Sequence, residues 1–151
     1  MNIAYITSTQ RGEADRALAQ FAARLAARGT RVAGVVQINT ERQGDGPCDM
    51  DVRVLPDGPV IRISQYLGRG AKGCRLNAAA LEQAVAEVGA GLSDETGILI
   101  LNKFGKHEAE GRGFRELIGD ALMRDIPVIP GVNALNLEAF LEFTGGLAAP
   151  L

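Results

Sequence analysis

Residues 98–114 read Ile-Leu-Ile-Leu-Asn-Lys-Phe-Gly-Lys-His-Glu-Ala-Glu-Gly-Arg-Gly-Phe. The first four are branched apolar residues without alternation, which predicts a strand buried on both faces, as in a parallel sheet. A dense group of polar residues and glycines follows at once. In open α/β sheets, ligands bind in the crevice beyond the carboxyl ends of the strands. This stretch therefore predicts an α/β fold and a candidate site just after the strand.

The composition is that of an ordinary globular protein. Of the 151 residues, 46% are hydrophobic and 23% are charged, so we expect one domain over residues 1–151. A net charge of −2 argues against broad, charge-driven binding of nucleic acid. The two cysteines, Cys48 and Cys74, are too few for a disulfide scaffold and are expected as free thiols of open role. Without a signal peptide or an apolar run near the ~20 residues that cross a bilayer, we expect a cytoplasmic protein without membrane insertion.

Strand and helix signals alternate along the rest of the chain. We predict strands over residues 2–7, 31–38, 98–101 and 126–130, and helices over residues 13–28, 77–88, 110–124 and, capped by Asn133 or Asn136, up to Gly145-Gly146. Residues 51–55 and 60–64 flank Pro56-Asp57-Gly58-Pro59, a turn sequence that predicts an antiparallel hairpin. This order predicts a three-layer α/β/α domain with a mainly parallel sheet and a β-hairpin insertion.

The first turn between a strand and a helix lies where a P-loop would lie. A P-loop requires G-x-x-x-x-G-K-[ST], whose amides and lysine bind phosphates and whose hydroxyl binds magnesium. The corresponding residues in this chain are Thr7, Gly12, Glu13 and Ala14. An acid in place of the lysine would repel a triphosphate, but the helix amides and dipole still suit a smaller anion, with Arg11 or Arg16 beside it. The residues predicted to bind that anion are Ser8, Thr9, Gln10, Arg11 and Gly12, and an ordinary turn without a ligand is the alternative.

The end of the 98–101 strand carries a second set of candidates. A P-loop enzyme would place an aspartate for magnesium here, commonly followed by a glutamate that activates water. This chain has Asn102 and Lys103 instead. The amide removes the negative charge that would bind a metal ion, and the lysine makes the charge of the site positive. We therefore predict no metal site, and we predict that the residues binding the anion here are Asn102, Lys103, Gly105 and Lys106.

Three titratable residues in the same stretch are the candidates for catalysis. His107 is the only histidine, and its residue type suits general acid–base chemistry, although a surface-loop histidine is the alternative. Glu108 or Glu110 would hold magnesium if the chain were a divergent nucleotide phosphohydrolase.

A glycine-rich segment supplies the last candidates. Residues 68–75 read Gly-Arg-Gly-Ala-Lys-Gly-Cys-Arg, with three glycines and three cations. Such a segment can form a nest of amides for an oxyanion, and a solvated loop is the alternative. We expect Arg69, Lys72 or Arg75 to close over a ligand held between the first turn and residues 102–106.

Several segments resemble known families. Asn102-Lys103-Phe104-Gly105-Lys106-His107-Glu108, the later Ile126-Pro127-Val128-Ile129 and the opening strand-turn-helix resemble the small P-loop nucleoside triphosphatases of thermophiles and vertebrates. In that family the first segment resembles D-E-x-G-x-x-E, so that Gly105 and Glu108 match and the two acids do not. Nearly the whole chain is similar to a bacterial domain family of unknown function. That family is often encoded beside molybdate-transport genes and is frequently labelled molybdenum transporter ATP-binding protein. The segments that carry this second resemblance include Gly34-Val35-Val36-Gln37, Cys48-Asp49-Met50-Asp51, Ile63-Ser64-Gln65 and Gly73-Cys74-Arg75-Leu76.

Together, these features predict a P-loop-NTPase-like fold with a degenerate phosphate loop. They indicate a non-hydrolysing protein that binds a small oxyanion or a nucleotide, with no other cofactor. The resemblance implies a link to molybdate, a tetrahedral dianion of the kind that amides and basic side chains bind well. The alternatives are a divergent nucleoside triphosphatase acting on ATP or GTP, and a regulatory or scaffolding subunit without a small ligand. The expected partners are the small anion and either a second copy of the chain or a transporter, but not nucleic acid.

Overall fold

The computed structural model describes residues 2–10, 12–40, 49–65 and 75–151. The strands are β1 (Ala4–Tyr5), β2 (Val32–Thr40), β3 (Asp49–Leu55), β4 (Val60–Arg62), β5 (Ser64–Gln65), β6 (Arg75–Leu76), β7 (Ile98–Phe104), β8 (Val128–Val132) and β9 (Ala149–Pro150). The helices are α1 (Glu13–Ala27), α2 (Ala78–Gly91), α3 (Lys106–Ala109), α4 (Arg115–Met123) and α5 (Leu137–Phe143). In these described ranges, no helix combines the length and the apolar character needed to cross a bilayer.

A mainly parallel sheet forms the middle layer. Its five central strands lie in the order β4-β3-β2-β7-β8. β2, β7 and β8 are parallel, β3 pairs antiparallel with β2, and β4 pairs antiparallel with β3. β1 extends the sheet beyond β8, because Ile3 and Ile6 form parallel bridges with Val128 and Gly131. β9 pairs in parallel with β1 at the far edge. The predicted α/β class, the mainly parallel sheet and the hairpin insertion are confirmed.

Helices cover both faces of this sheet, and the apolar side chains of β7 alternate between the two faces. Ile98 and Ile100 belong to the apolar cluster formed with α1, whereas Leu99 and Leu101 belong to the cluster formed with α2, α4 and α5. All four side chains are buried. Burying a side chain of this size contributes about 1.5–3 kcal/mol, so β7 is the main apolar link between the layers.

An aromatic cluster fixes the end of β7 to α5. The rings of Phe104 and Phe140 meet edge to face with centroids 5.2 Å apart, and Phe140 meets Tyr5 of β1 at 5.5 Å. Phe143 stacks on Phe104 with ring centroids 5.6 Å apart, and the Arg115 guanidinium lies over the Phe143 ring, 4.7 Å from its centroid. Each such aromatic pair contributes about 0.5–1.5 kcal/mol of stability beyond the contribution of the apolar area that it buries. Phe104 therefore anchors the two polar residues that precede it.

Two predicted boundaries around the organising stretch are wrong. β7 continues through Phe104 instead of ending at residue 101, because Phe104 is needed in the core. The helix predicted over residues 110–124 begins only at Arg115, as α4, and a separate short helix, α3, lies before the predicted start. The chain turns between them at Gly111 and Gly113, whose φ angles of 92° and 63° do not continue a helix. The predicted first helix and the helix capped by Asn77 agree with α1 and α2 to within a few residues.

The approach of β2 to β7 generates a prediction for Gly34. This residue has φ 120°, and a Cβ atom there would lie 1.7 Å from the Ile100 carbonyl oxygen. We expect Gly34→Ala to lower the free energy of unfolding by roughly 3 kcal/mol, since the central strands must separate. Denaturant unfolding measures this change.

Gly119→Ala is the matched control, because a Cβ at this position of α4 would meet no atom within 4 Å. It should raise the free energy of unfolding by about 0.5–1 kcal/mol, since alanine is the better helix former. Equal effects of the two substitutions would contradict the close approach of β2 and β7.

Candidate functional site

Two neighbouring cavities open at the carboxyl ends of β1, β7 and β8. The first, which we name the polar chamber, has a volume of about 350 Å³ and lies between the first turn and the end of β7. The predicted site residues that line it are Ser8, Thr9, Gln10, Gly12, Asn102 and Lys103. Asp15 and Asn133 also line it. The structure thus brings together the two segments that the sequence marked separately.

The second cavity has a volume of about 530 Å³, and we name it the half-apolar chamber. Its apolar wall consists of Met50, Ile63, Leu76, Leu81 and Phe114. Its polar wall includes Gln37 of β2 and the predicted site residues Gly105, Lys106, His107, Glu108 and Glu110. Asp15, Asn102 and Lys103 line both chambers, so the two cavities adjoin at these three side chains.

A β-bulge sets the directions of Asn102 and Lys103. Leu101 pairs with Pro130 and Phe104 with Val132, so two residues of β7 lie opposite one residue of β8. A bulge of this kind re-aims side chains next to a site. Asn102 is only 8% exposed, and its Nδ2 donates a hydrogen bond to Gln37 Oε1 at 2.6 Å. Lys103, by contrast, is exposed at the boundary between the chambers.

Lys103 provides the positive charge at this boundary. None of the ion pairs formed among the described residues involves its ammonium group. Partial burial raises the pKa of the Asp15 carboxyl, and the positive charges of Lys103 and Arg16 oppose that rise. A carboxyl with a raised pKa beside a cation in a cleft is typical of functional sites.

The first turn is partly filled by its own side chains. The Gln10 amide donates a hydrogen bond to Ser8 Oγ at 3.1 Å, and the Ser8 hydroxyl donates to the Glu13 carboxylate. Gly12, with φ 77°, precedes α1. A carboxylate therefore lies where a P-loop would carry its lysine, which disfavours highly charged phosphate chains at this turn.

Glu108 is held as a structural side chain. It is only 3% exposed; its Oε1 accepts a hydrogen bond from the Gly105 amide at 2.9 Å and its Oε2 accepts one from the Phe114 amide at 3.1 Å. These bonds close the turn that carries α3 and join it to the start of α4. A magnesium ion would have to displace both bonds, so the geometry disfavours the metal-binding role considered for Glu108.

The other two catalytic candidates also have neighbours. His107 Nε2 lies 3.6 Å from Glu82 Oε1, and the same oxygen accepts a hydrogen bond from the Gly113 amide at 2.9 Å. Because only 12% of its side chain is exposed, His107 is not the solvated loop histidine that the sequence allowed. Glu110 accepts a hydrogen bond from Arg112 at 2.7 Å and lies 3.9 Å from Lys106 Nζ.

The described part of the structure does not include the side chains of four predicted ligand-binding residues. Arg11, Arg69 and Lys72 lie outside the described residues, as do Cys48 and Cys74, and Arg75 belongs to β6 by its backbone. Lys106 lines the half-apolar chamber and not the polar chamber.

Sequence reasoning missed Asp15, Gln37 and Asn133. An acid in the first turn of a helix usually only complements the helix dipole, so Asp15 gave no signal. Gln37 interrupts an apolar strand, which was a usable signal. Asn133 was considered only as a cap, and its Oδ1 does accept a hydrogen bond from the Asn136 amide at 3.1 Å.

Comparison with solved structures identifies the class of fold. A human protein described as a cancer-related nucleoside triphosphatase superposes with a TM-score of 0.72 at 16% identity, covering 100% of this chain and 88% of that one. THEP1 from the hyperthermophile Aquifex aeolicus superposes with a TM-score of 0.65 at 15% identity, with the same two coverages. The chain therefore has a P-loop-NTPase-like α/β fold; at these identities the likeness shows the fold alone.

The family is more specific. Residues 3–151 match the family described as "Protein of unknown function (DUF2478)", and the chain belongs to that family. The "Molybdenum import ATP-binding protein ModC 2" of Bradyrhizobium diazoefficiens is 36% identical over 149 residues. This alignment covers 99% of the chain but only 17% of the relative's length. Both resemblances that the sequence motifs indicated are confirmed.

The bonds of Glu108 generate a prediction that separates a structural role from a catalytic one. Glu108→Ala should lower the free energy of unfolding by about 2–4 kcal/mol, because two amides lose a charged acceptor inside the fold. Glu110→Ala is the matched control, and the loss of its exposed ion pairs should change stability by less than about 0.5 kcal/mol. Denaturant unfolding of both variants measures the difference, and similar stabilities would contradict the structural role.

The raised pKa of Asp15 generates a pH-dependent prediction. Its folded-state pKa lies above the unfolded value, so Asp15 favours the fold when protonated, and this contribution is lost as pH rises through the folded pKa. We expect Asp15→Asn to have a higher Tm than the wild type at pH 7, and the difference to shrink as the pH falls toward 4. Thermal melts across this range measure it. The exposed variant Asp57→Asn should follow the wild-type profile; a Tm difference for Asp15→Asn that is independent of pH would contradict the burial effect.

Proposed function

We propose that this domain binds a small oxyanion in the polar chamber and does not hydrolyse nucleoside triphosphates. The observation that carries the proposal is Lys103, an exposed cation at a concave site that forms no salt bridge among the described residues and has the Asp15 carboxyl as an electrostatic neighbour. Beside it lie the Thr9 hydroxyl and the amide groups of Gln10 and Asn133, which are suitable donors to an oxyanion, whereas the Ser8 hydroxyl donates to Glu13.

The arrangement of charges supports binding without hydrolysis. Hydrolysis at a P-loop depends on a lysine at the phosphates and on acids that hold magnesium and position water. Here the lysine position carries Glu13, which is bonded to Ser8, and the strand end carries Asn102 and Lys103. A substrate with a long phosphate chain would meet the Glu13 carboxylate, whereas a compact anion beside Lys103 would not need to approach it.

Molybdate is a candidate oxyanion. Its support is the name of the relative, a molybdenum import ATP-binding protein. Because this chain matches only 17% of that relative, the activity of the longer protein is not carried over. The same relative supports a transporter-associated partner for this domain.

The alternative functions have weaker support. A divergent nucleoside triphosphatase would need Glu108 or Glu110 on magnesium, but the first accepts two amide bonds and the second pairs with Arg112. Among the described residues, no group of three histidine, cysteine, aspartate or glutamate side chains is arranged to hold a metal ion. A scaffolding subunit would leave both chambers without a ligand.

Isothermal titration with molybdate, sulfate and phosphate tests the proposal. We expect at least one of these anions to bind the wild-type protein, and Lys103→Met to weaken its binding by about tenfold or more, since a charge-assisted contact is lost. Lys106→Met is the matched control, because Lys106 lies outside the polar chamber and near Glu110. It should change the affinity by less than threefold.

A phosphate-release assay with ATP or GTP and magnesium tests the second half of the proposal. We expect release at the level of the blank for the wild type and for Glu108→Gln. Sustained turnover would overturn the proposed absence of hydrolysis. Absence of binding by all three anions would instead favour the scaffolding subunit.

A further inference from the structure

We propose that the oxyanion is one end of a larger ligand, a monophosphate ester that carries a planar heterocycle, and that this ring occupies the half-apolar chamber. This inference rests on the proposed function, because the phosphate would take the place of the oxyanion beside Lys103. It differs in assigning an organic body to the ligand and in naming the second cavity as the place where that body binds.

The chambers adjoin, which is the first observation in support. Asp15, Asn102 and Lys103 line both cavities, so a phosphate beside Lys103 would lie at the boundary from which the organic part of the ligand reaches the second cavity. The larger volume, about 530 Å³, is in the range of sites for small organic molecules and far exceeds the need of a bare tetrahedral anion. A bare anion would use only the polar chamber.

The walls of the half-apolar chamber suit a flat ring. Ile63, Leu81 and Phe114 are buried side chains that offer an apolar surface, and Leu76 is 38% exposed at its edge. A leucine left partly exposed at the mouth of a cavity loses water contact when a ring packs against it. Apolar walls with a few placed polar groups are typical of sites for small organic ligands.

The polar wall suits the edge of a heterocycle. The carboxamides of Asn102 and Gln37 both line the chamber, and Asn102 Nδ2 donates a hydrogen bond to Gln37 Oε1 at 2.6 Å. Carboxamides offer donors and acceptors together, as do the edges of nitrogen heterocycles. Because the bulge and the bond to Gln37 fix Asn102, this edge is organised before a ligand arrives.

The charges favour a monophosphate over a longer phosphate chain. Lys103 is the lysine that lines the polar chamber in the described part of the chain, and at the first turn the Glu13 carboxylate accepts a hydrogen bond from the Ser8 hydroxyl. One phosphate of about two negative charges can be matched by Lys103 and neighbouring donors, whereas three phosphates need more cations or a metal.

Isothermal titration of the full chain with four probes tests the inference: inorganic phosphate, guanosine monophosphate, adenosine monophosphate and guanosine. We expect at least one monophosphate to bind tenfold or more tightly than inorganic phosphate, and guanosine to bind more weakly than its monophosphate. Leu76→Trp should narrow the half-apolar chamber. It should weaken the preferred monophosphate by about tenfold and leave phosphate within twofold of the wild type.

The matched control is Leu147→Trp, because Leu147 is 61% exposed and precedes β9, at the end of the sheet where the parallel strands begin. It should bind every probe as the wild type does. If phosphate binds as tightly as both monophosphates, or Leu76→Trp binds them unchanged, the two-chamber ligand is wrong while the oxyanion proposal stands. If no monophosphate binds, the two-chamber ligand is wrong, and if molybdate, sulfate and phosphate also fail to bind, both proposals fail.

Discussion

The burial of β7 on both faces is the constraint on which the rest of the structure depends. Its apolar residues join the two helical layers, and its neighbours β2 and β8 lie parallel on either side. Phe104 then fixes the end of the strand through the aromatic cluster with α5. Leu101 and Phe104 both pair with β8, but only one residue of β8 lies opposite the two residues between them. Asn102 and Lys103 therefore form the bulge. The site is thus a local irregularity imposed between two rigid attachments.

Local sequence signals were sufficient for most of the fold. An unbroken apolar run predicted β7 as a buried parallel strand, and the Pro56-Asp57-Gly58-Pro59 turn predicted the β3–β4 hairpin. The failures occurred where long-range contacts decide. β7 extends to Phe104 because of rings on α5, and the division between α3 and α4 depends on amides that reach the Glu108 carboxylate. No periodicity within either segment contains that information.

The candidate site shows the same division. Asn102, Lys103 and the first turn could be found from their positions after strands, and the structure places them around one cavity. Asp15 could not be found, because its burial depends on β7, which is distant in sequence. The half-apolar chamber could not be found either, since Gln37, Leu76 and Leu81 come from three separate elements. Residue type identifies candidates, but only packing decides which of them share a space.

The bonds of Glu108 bear on how relatives of this chain should be classified. Gly105 and Glu108 are the two positions that this chain shares with the D-E-x-G-x-x-E segment of small nucleoside triphosphatases. Here both belong to one fold-stabilising contact, the glutamate accepting from the glycine amide. The architecture of this fold can therefore require half of that signature in a chain that lacks the two acids. Genome surveys that score the signature as a whole would count such chains as enzymes; surveys that score only its two leading acids would not.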